Sequence, residues 1–156
     1  MKSGITFHAD ATDGASRRLG VSIEIAGPFE GNILELRFPR WIPGSYLIRE
    51  PMQHLTDLAA SCDGNEVKVQ RIDVDGLRIK GISESSKVLI TYKVLAAEMT
   101  CRANHLDKSH VHIMPPYTWM IPTRGIDSNR MNQSHRVTLD KPNDWQTAIQ
   151  LPGKEG

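Results

Sequence analysis

The sequence predicts an all-β fold, an antiparallel β-sandwich with several hairpins and little helix. Apolar residues recur at every second position in several segments, which is the period of a strand that buries one face. Turn signals separate these segments at intervals of about 8–12 residues, as they do in sandwiches. No segment has the period of a convincing amphipathic helix.

Four segments show the two-residue period most clearly, and they are residues 19–25, 34–38, 88–94 and 137–139. In the third segment, apolar residues occupy parts of both faces. We therefore expect this strand to lie in the centre of a sheet, where both faces are covered.

Asp-Gly pairs predict two hairpins. One pair, at 63–64, follows residues 58–62, and the other, at 75–76, follows residues 72–74. Asp and Gly tolerate the positive φ angles of a type I′ turn, so we expect that turn at both places. One short helical turn is expected between residues 47 and 58.

Length and composition predict a single domain over residues 1–156, with 152–156 as a frayed end or the start of a linker. The formal net charge of +1 argues against binding to nucleic acid. No apolar run has the length of a signal peptide or of a membrane helix, so we expect no membrane partner and a cytoplasmic location. Cys62 and Cys101 are expected to be buried or half-buried free thiols.

Motifs that would mark a catalytic centre are absent from the sequence. It contains no His-Glu-x-x-His, no glycine-rich phosphate loop, no Gly-x-Ser-x-Gly and no Cys-x-x-Cys. We therefore expect no catalytic residue in this chain.

His110 and His112 are the best metal candidates, because residues two apart in a strand share a face. His105 is nearby, and Asp107 is conceivable as a further ligand, so a small metal-dependent hydrolase is one hypothesis. Structural zinc sites need four ligands, however, and the sequence shows no third one at a fixed spacing. We expect no metal here.

Aromatic residues are concentrated in proline-rich segments, at Trp41, Tyr46, Tyr117 and Trp119. They could form a flat platform for sugars or peptides, which would make the chain a stand-alone binding module. They could instead cap the ends of the core or pack against a neighbouring domain, and we favour this second interpretation.

The most specific segment follows the predicted strand 34–38 and turns sharply. Pro-Gly at 43–44 suits a type II turn, because proline sets one φ angle and glycine allows a positive one. We expect Trp41 to be largely buried at one end of the sandwich and Arg49 to face a neighbouring domain. The residues predicted to contact another domain or a substrate cleft are Trp41, Pro43, Gly44, Ser45, Tyr46 and Arg49.

This segment, Trp-Ile-Pro-Gly-Ser-Tyr-Leu-Ile-Arg at 41–49, resembles the Trp-x-Pro-Gly-Ser-Tyr-x-x-Arg stretch of the glycyl-aminopeptidase-like zinc metallopeptidases, metallopeptidase family sixty-one. Residues 88–94 resemble the family's Val-x-Val-x-Tyr-x-Val strand, and residues 100–107 its following segment. Residues 137–152 resemble its close, a strand followed by Pro, Trp and Leu-Pro. The resemblance covers nearly the whole chain.

The resemblance implies a β-sandwich that precedes a thermolysin-like catalytic domain in a longer aminopeptidase. It implies a non-catalytic domain that supports the catalytic domain and borders its substrate cleft. The downstream domain of the same chain and a peptide with a small N-terminal residue would be the partners. Zinc would belong to the parent protein, with no cofactor in this segment. Residues 114–122 depart from the family pattern, being richer in proline and aromatic residues.

Overall fold

The structure of the protein, a computed structural model, describes residues 4–153. Most of the regular structure in these residues is β-strand, which confirms the predicted all-β class. The expected frayed end or linker at 152–156 falls partly on residues 154–156, which lie outside the described residues. No helix within 4–153 has the length and hydrophobicity that a membrane crossing requires.

The strands are, in chain order, β1 (Thr6–Asp10), β2 (Arg18–Ala26), β3 (Ile33–Arg37), β4 (Leu55–Cys62), β5 (Asn65–Glu66), β6 (Val69–Arg71), β7 (Gly76–Lys80), β8 (Lys87–Leu95), β9 (His105–Leu106), β10 (Val111–His112), β11 (Ile121–Arg124) and β12 (Arg136–Asp140). The helices are a 3-10 turn at Pro51–His54, α1 (Pro115–Thr118) and α2 (Ser128–Met131). The 3-10 turn confirms the short helical turn expected between residues 47 and 58.

Two sheets account for most of the strands. The larger sheet has the order β12-β1-β2-β8-β4-β5, and the smaller has the order β11-β3-β7-β6. β9 and β10 form a separate two-stranded hairpin. β8 pairs with β2 on one side and β4 on the other, so the prediction that residues 88–94 form a central strand is confirmed.

Alternate residues of both sheets point into one hydrophobic core. In β2 and β8 every second side chain is buried and the residues between them are half-buried or exposed. The core residues of these two strands are Leu19, Val21, Ile23, Ile25, Val88, Ile90, Tyr92 and Val94. Leu34, Leu36, Leu77 and Ile79 of the smaller sheet belong to the same cluster. The two-residue period seen in the sequence is therefore the period of burial.

One strand pairing departs from the expected antiparallel arrangement. β12 runs parallel to β1, with Thr6 opposite Arg136 and Asp10 opposite Asp140. β12 follows β11 of the other sheet and is reached through α2, so it enters by a crossover and not by a hairpin. A hairpin would have required the antiparallel direction.

The two Asp-Gly pairs behave differently. Asp63 and Gly64 have φ angles of 51° and 83° and join β4 to β5, which confirms the type I′ turn at 63–64. The same prediction at 75–76 is wrong. A type I′ turn needs positive φ angles, and neither Asp75 nor Gly76 has one. There the chain turns over 72–75, where the Asp73 carboxylate accepts the Asp75 N–H at 3.1 Å.

The cysteines confirm one expectation and correct another. Within the described residues both are free thiols, and Cys62 is half-buried as expected. Cys101 is exposed, so the expectation of burial is wrong for it. It lies in the turn between β8 and β9, where its side chain does not reach the core.

A buried polar network connects β8 to the segment 114–120. The Tyr92 hydroxyl donates to the Thr118 carbonyl at 2.7 Å and accepts from the Met120 N–H at 3.2 Å. Asn104 accepts from the Met114 N–H at 2.7 Å and donates to the Tyr117 carbonyl at 3.3 Å. Burial raises the pKa of Tyr92 far above its usual value, so the phenol stays neutral and can both donate and accept.

Tyr92→Phe should therefore destabilise the chain although it changes the shape of the core very little. The variant leaves the Thr118 carbonyl and the Met120 N–H buried without their partner, which costs about 1–3 kcal/mol of the free energy of unfolding. Tyr46→Phe is the control, because Tyr46 is 95% exposed. Urea unfolding measures both, and equal midpoints for the two variants would contradict the role assigned to Tyr92.

Candidate functional site

The chain leaves β3 through Phe38 and forms a closed loop at residues 41–49. Its two ends meet where the Arg49 N–H donates to the Arg40 carbonyl at 3.0 Å. At its tip, the Ser45 N–H donates to the Ile42 carbonyl at 2.9 Å, and Gly44 has a φ of 81°. These features confirm the Pro-Gly turn at 43–44, with glycine in the position that needs a positive φ.

Side-chain hydrogen bonds hold the loop in shape. The Ser45 hydroxyl donates to the Leu47 carbonyl at 3.2 Å and accepts from the Arg49 Nε–H at 3.4 Å. Arg49 is half-buried, and this contact turns its guanidinium back along the loop. The 41–49 loop is therefore ordered by its own bonds, without its apolar side chains packing on the core.

An ionic cluster fixes the base of the loop to the β6–β7 turn. The carboxylate of Asp75, which is 4% exposed, lies 2.9 Å from Arg37 Nη1 and 3.5 Å from Arg40 Nε. Arg37 also lies 2.6 Å from Asp73. Burial and the neighbouring Asp73 raise the pKa of Asp75, whereas hydrogen bonds from Asp75 and Arg37 lower the pKa of Asp73. The contacts with Arg37 of β3 and with Arg40 just beyond it hold the Asp75 side chain, which accounts for the absence of the expected turn at 75–76.

The 41–49 loop presents four large apolar side chains to solvent. Trp41 is 61% exposed, Tyr46 95%, Leu47 60% and Ile48 61%. The expectation that Trp41 is largely buried is therefore wrong. The buried aromatic ring of this segment is Phe38, which is 2% exposed and packs its ring edge on Tyr92 at a centroid distance of 6.1 Å.

The four aromatic residues of the sequence do not form one platform. Tyr117 is 7% exposed, and Trp119 packs its ring edge on Phe7 at a centroid distance of 6.2 Å. The Trp119 indole N–H donates to the His8 carbonyl at 3.1 Å. Only Trp41 and Tyr46 of the four are exposed, and both lie on the 41–49 loop.

A charged groove runs beside the loop, between the 3-10 turn and the turn that contains Cys101. Arg49, Glu50, His54, Glu98 and Arg102 line it, with Tyr117 at its floor. Burial raises the pKa of Tyr117, so its hydroxyl is neutral at ordinary pH. Sequence reasoning found Arg49 but missed Glu98 and Arg102, which reach the groove from a turn about 50 residues further along the chain.

A second polar cluster lies on the β9–β10 hairpin. His105 Nε2 is 3.0 Å from Asp107 Oδ2, and His110 Nδ1 is 3.4 Å from Asp107 Oδ1. The two imidazole rings stack with centroids 4.9 Å apart. The predicted pair was His110 with His112, but β10 begins at Val111, and the turn before it folds His110 back over His105.

The sequence of this chain matches a known family of domains. A model of the Peptidase M61 N-terminal domain matches residues 6–156. The chain belongs to this family. No curated protein matches the chain.

One solved structure has a similar fold. An aminopeptidase N family protein from Idiomarina loihiensis is 24% identical and superposes with a TM-score of 0.84 over 97% of this chain. That match covers 25% of the Idiomarina chain, so the present chain spans about a quarter of its relative's length. The similarity shows that the two share this fold.

Two more distant structures are also aminopeptidases or zinc peptidases. Legionella pneumophila aminopeptidase A with bound aspartic acid is 12% identical, with a TM-score of 0.37 over 59% of this chain and 10% of its own. An M1 zinc metallopeptidase from Deinococcus radiodurans, bound to a Tyr-Ser-Ala substrate, is 9% identical, with a TM-score of 0.40 over 69% of this chain and 26% of its own. Both scores are too low to support a common fold.

The exposure of Trp41 leads to a direct test. Trp41→Ala should change the free energy of unfolding by at most about 0.5 kcal/mol, as exposed substitutions do. For half-buried Trp119, replacement by Ala should cost about half of the 3–5 kcal/mol that a fully buried Trp costs. Urea titration followed by circular dichroism measures both. A Trp41→Ala loss as large as that of Trp119→Ala would show that the loop packs on the core in solution.

Proposed function

We propose that this chain is the non-catalytic N-terminal domain of a longer zinc metallo-aminopeptidase, and that it supports the catalytic domain and borders its substrate cleft. The apolar surface of the 41–49 loop carries the proposal. Four large side chains on one short, self-bonded loop are more exposed than a soluble domain ordinarily leaves them. The remainder of the longer chain is the occupant that we assign to this surface.

The length of the related peptidase supports this choice of occupant. The present chain covers 25% of the Idiomarina relative, so about three quarters of that relative lie outside the matching region. A contact between two domains of one chain needs no separate partner protein. Because the loop is already ordered by its own hydrogen bonds, little conformational entropy is lost when it makes this contact. The residues assigned to the contact or to the edge of the cleft are Trp41, Pro43, Gly44, Ser45, Tyr46 and Arg49.

Zinc chemistry is assigned to the rest of the peptidase. The 156-residue sequence has no His-Glu-x-x-His, so it cannot supply the usual helical ligand pair and glutamate of such a centre. A zinc ion in a peptidase polarises the peptide carbonyl and activates water. The residues of this chain would take no part in the chemistry. They would form one side of the cleft that binds a peptide with a small N-terminal residue.

The alternative is a stand-alone module that binds a carbohydrate or peptide. Exposed Trp41 and Tyr46 are the only observation that favours it, since Tyr117 and Trp119 belong to the core side of the molecule. Trp fluorescence on titration with oligosaccharides and glycyl peptides separates the two ideas. Saturable binding by the 156-residue chain, lost in Trp41→Ala, would favour the module.

Two substitutions in the longer peptidase test the interface. Tyr46→Ala and Arg49→Ala should each lower kcat/KM or uncouple the unfolding of the two domains there, because Tyr and Arg are among the side chains whose truncation at an interface commonly costs about 2 kcal/mol or more. In the 156-residue chain each should cost less than about 1 kcal/mol, as exposed or rim-located side chains do. Steady-state kinetics and calorimetry measure these effects.

Val137→Thr provides the matched control, because Val137 is an apolar residue 43% exposed on the edge strand β12. It should leave kcat/KM unchanged. Unchanged activity and unchanged domain coupling in Tyr46→Ala and Arg49→Ala would refute the interface.

The 156-residue chain by itself should not hydrolyse glycyl or alanyl p-nitroanilides, with or without added zinc. The reason is that its sequence lacks the zinc-binding helix motif. Release of p-nitroaniline is followed by absorbance. Turnover that a chelator abolishes and that copurifies with the chain would contradict the non-catalytic assignment.

A further inference from the structure

We propose that His105, Asp107 and His110 bind one divalent transition-metal ion, of the class that imidazole and carboxylate ligands take together, such as Zn²⁺ or Ni²⁺. Each of the three residues offers one ligand atom, and these atoms all lie within 4.8 Å of one another. Imidazole nitrogens with a carboxylate oxygen form a common ligand set for such ions. The site is separate from the 41–49 loop and does not rest on the proposed function.

The distances fit an ion after small side-chain movements. Metal–nitrogen and metal–oxygen bonds of about 2.0–2.2 Å place two ligand atoms of the same ion about 3–4 Å apart. His105 Nε2 lies 3.0 Å from Asp107 Oδ2. His110 Nδ1 lies 3.4 Å from the other carboxylate oxygen, Oδ1, so the His110 ring has to shift before both nitrogens can share an ion with Oδ2. Without an ion, His110 Nδ1 lies 2.9 Å from the Ser109 hydroxyl, and metal binding would replace this contact.

The two carboxylate oxygens of Asp107 have different hydrogen-bond partners. Oδ1 accepts from the Ser109 N–H at 2.7 Å, the Ser109 hydroxyl at 2.7 Å and the His110 N–H at 3.0 Å, which closes the turn. These bonds explain the turn without any ion. They do not use Oδ2, whose one hydrogen-bond partner within residues 4–153 is His105 Nε2. Oδ2 is thus the oxygen available to a metal.

The charge of Asp107 suits a cation. Its carboxylate accepts hydrogen bonds through both oxygens, and an aspartate carries a negative charge at neutral pH. Metal ions bind deprotonated ligands, and a carboxylate is one of them.

The backbone holds the ligands in place before any ion binds. The Asp107 N–H donates to the His110 carbonyl at 3.1 Å, and Leu106 pairs with Val111. Gly14 packs so closely that a Cβ on it would lie 2.2 Å from the Asp107 carbonyl oxygen. Asp107 is half-buried and His110 is exposed, so an ion can enter from solvent.

His105 sets the strength of the site. The ring is 4% exposed, and within the described residues its Nδ1 is buried without a hydrogen-bond partner. Metal-bound histidines usually donate their other N–H to an acceptor, and losing that partner typically lowers affinity by about 10–100-fold. With three protein ligands and this missing partner, we expect weaker binding than at a site whose histidines are fully partnered, and water in the remaining coordination positions.

Isothermal titration of the chelator-treated 156-residue chain with Zn²⁺ or Ni²⁺ tests the site. One ion per chain is expected, and His110→Ala should weaken binding by at least about 10-fold, the loss typical when part of a site is removed. His112→Ala is the matched control, because His112 is an exposed histidine two positions away and outside the cluster. It should bind as the unchanged chain does.

Asp107→Asn separates the carboxylate's charge from its part in the turn. The amide oxygen can still accept the bonds that close the turn, while the negative charge is lost, so the fold should persist by circular dichroism and the affinity should fall. No saturable binding, or equal affinities in the His110→Ala and His112→Ala variants, would overturn the site. Neither result would affect the interface, whose test uses different residues.

Discussion

The buried hydroxyl of Tyr92 joins the central strand β8 to the segment 114–120. Its ring lies in the core against Phe38, and its oxygen bonds the backbone at Thr118 and Met120. A polar atom in this position is costly unless both of its bonds are made, because the surroundings cannot replace them with water. The two bonds therefore fix the position of the segment 114–120 relative to β8.

Asn104 extends this constraint to both candidate surfaces. It is 2% exposed and bonds the backbone at Met114 and Tyr117, which places Tyr117 at the floor of the charged groove. It also directly precedes His105, the first residue of the β9–β10 hairpin. One buried amide thus positions the groove beside the 41–49 loop and the hairpin that carries the histidine cluster. Beside the hydrophobic core, buried polar bonds of Tyr92 and Asn104 hold the segment 114–120 in place. The large apolar side chains of the 41–49 loop remain exposed.

Parts of the candidate site were readable in the sequence and parts were not. The Pro-Gly turn at 43–44 follows from the residues that form it, and so does the resemblance to the peptidase family. The exposure of Trp41 does not, because the sequence alone does not tell which aromatic ring of residues 38–46 enters the core, and in the structure that ring is Phe38. Likewise, strand spacing indicated His110 with His112, whereas the Asp107 turn brings His110 to His105. That turn had a signal, an Asp followed two residues later by Ser, which favours a tight local turn.

By itself the sequence determined the all-β class, the core strands β2, β3 and β8 and the turn at 63–64, since each depends on neighbouring residues only. The two-residue period decides which side chains a strand can bury, and positive φ angles at Asp63 and Gly64 are a local property. Tertiary structure alone decided the parallel pairing of β12 with β1, because that direction is set by a crossover from the other sheet. It also decided the turn at 72–75, since Asp75 is held by Arg37 from another strand, a partner 38 positions away in the chain.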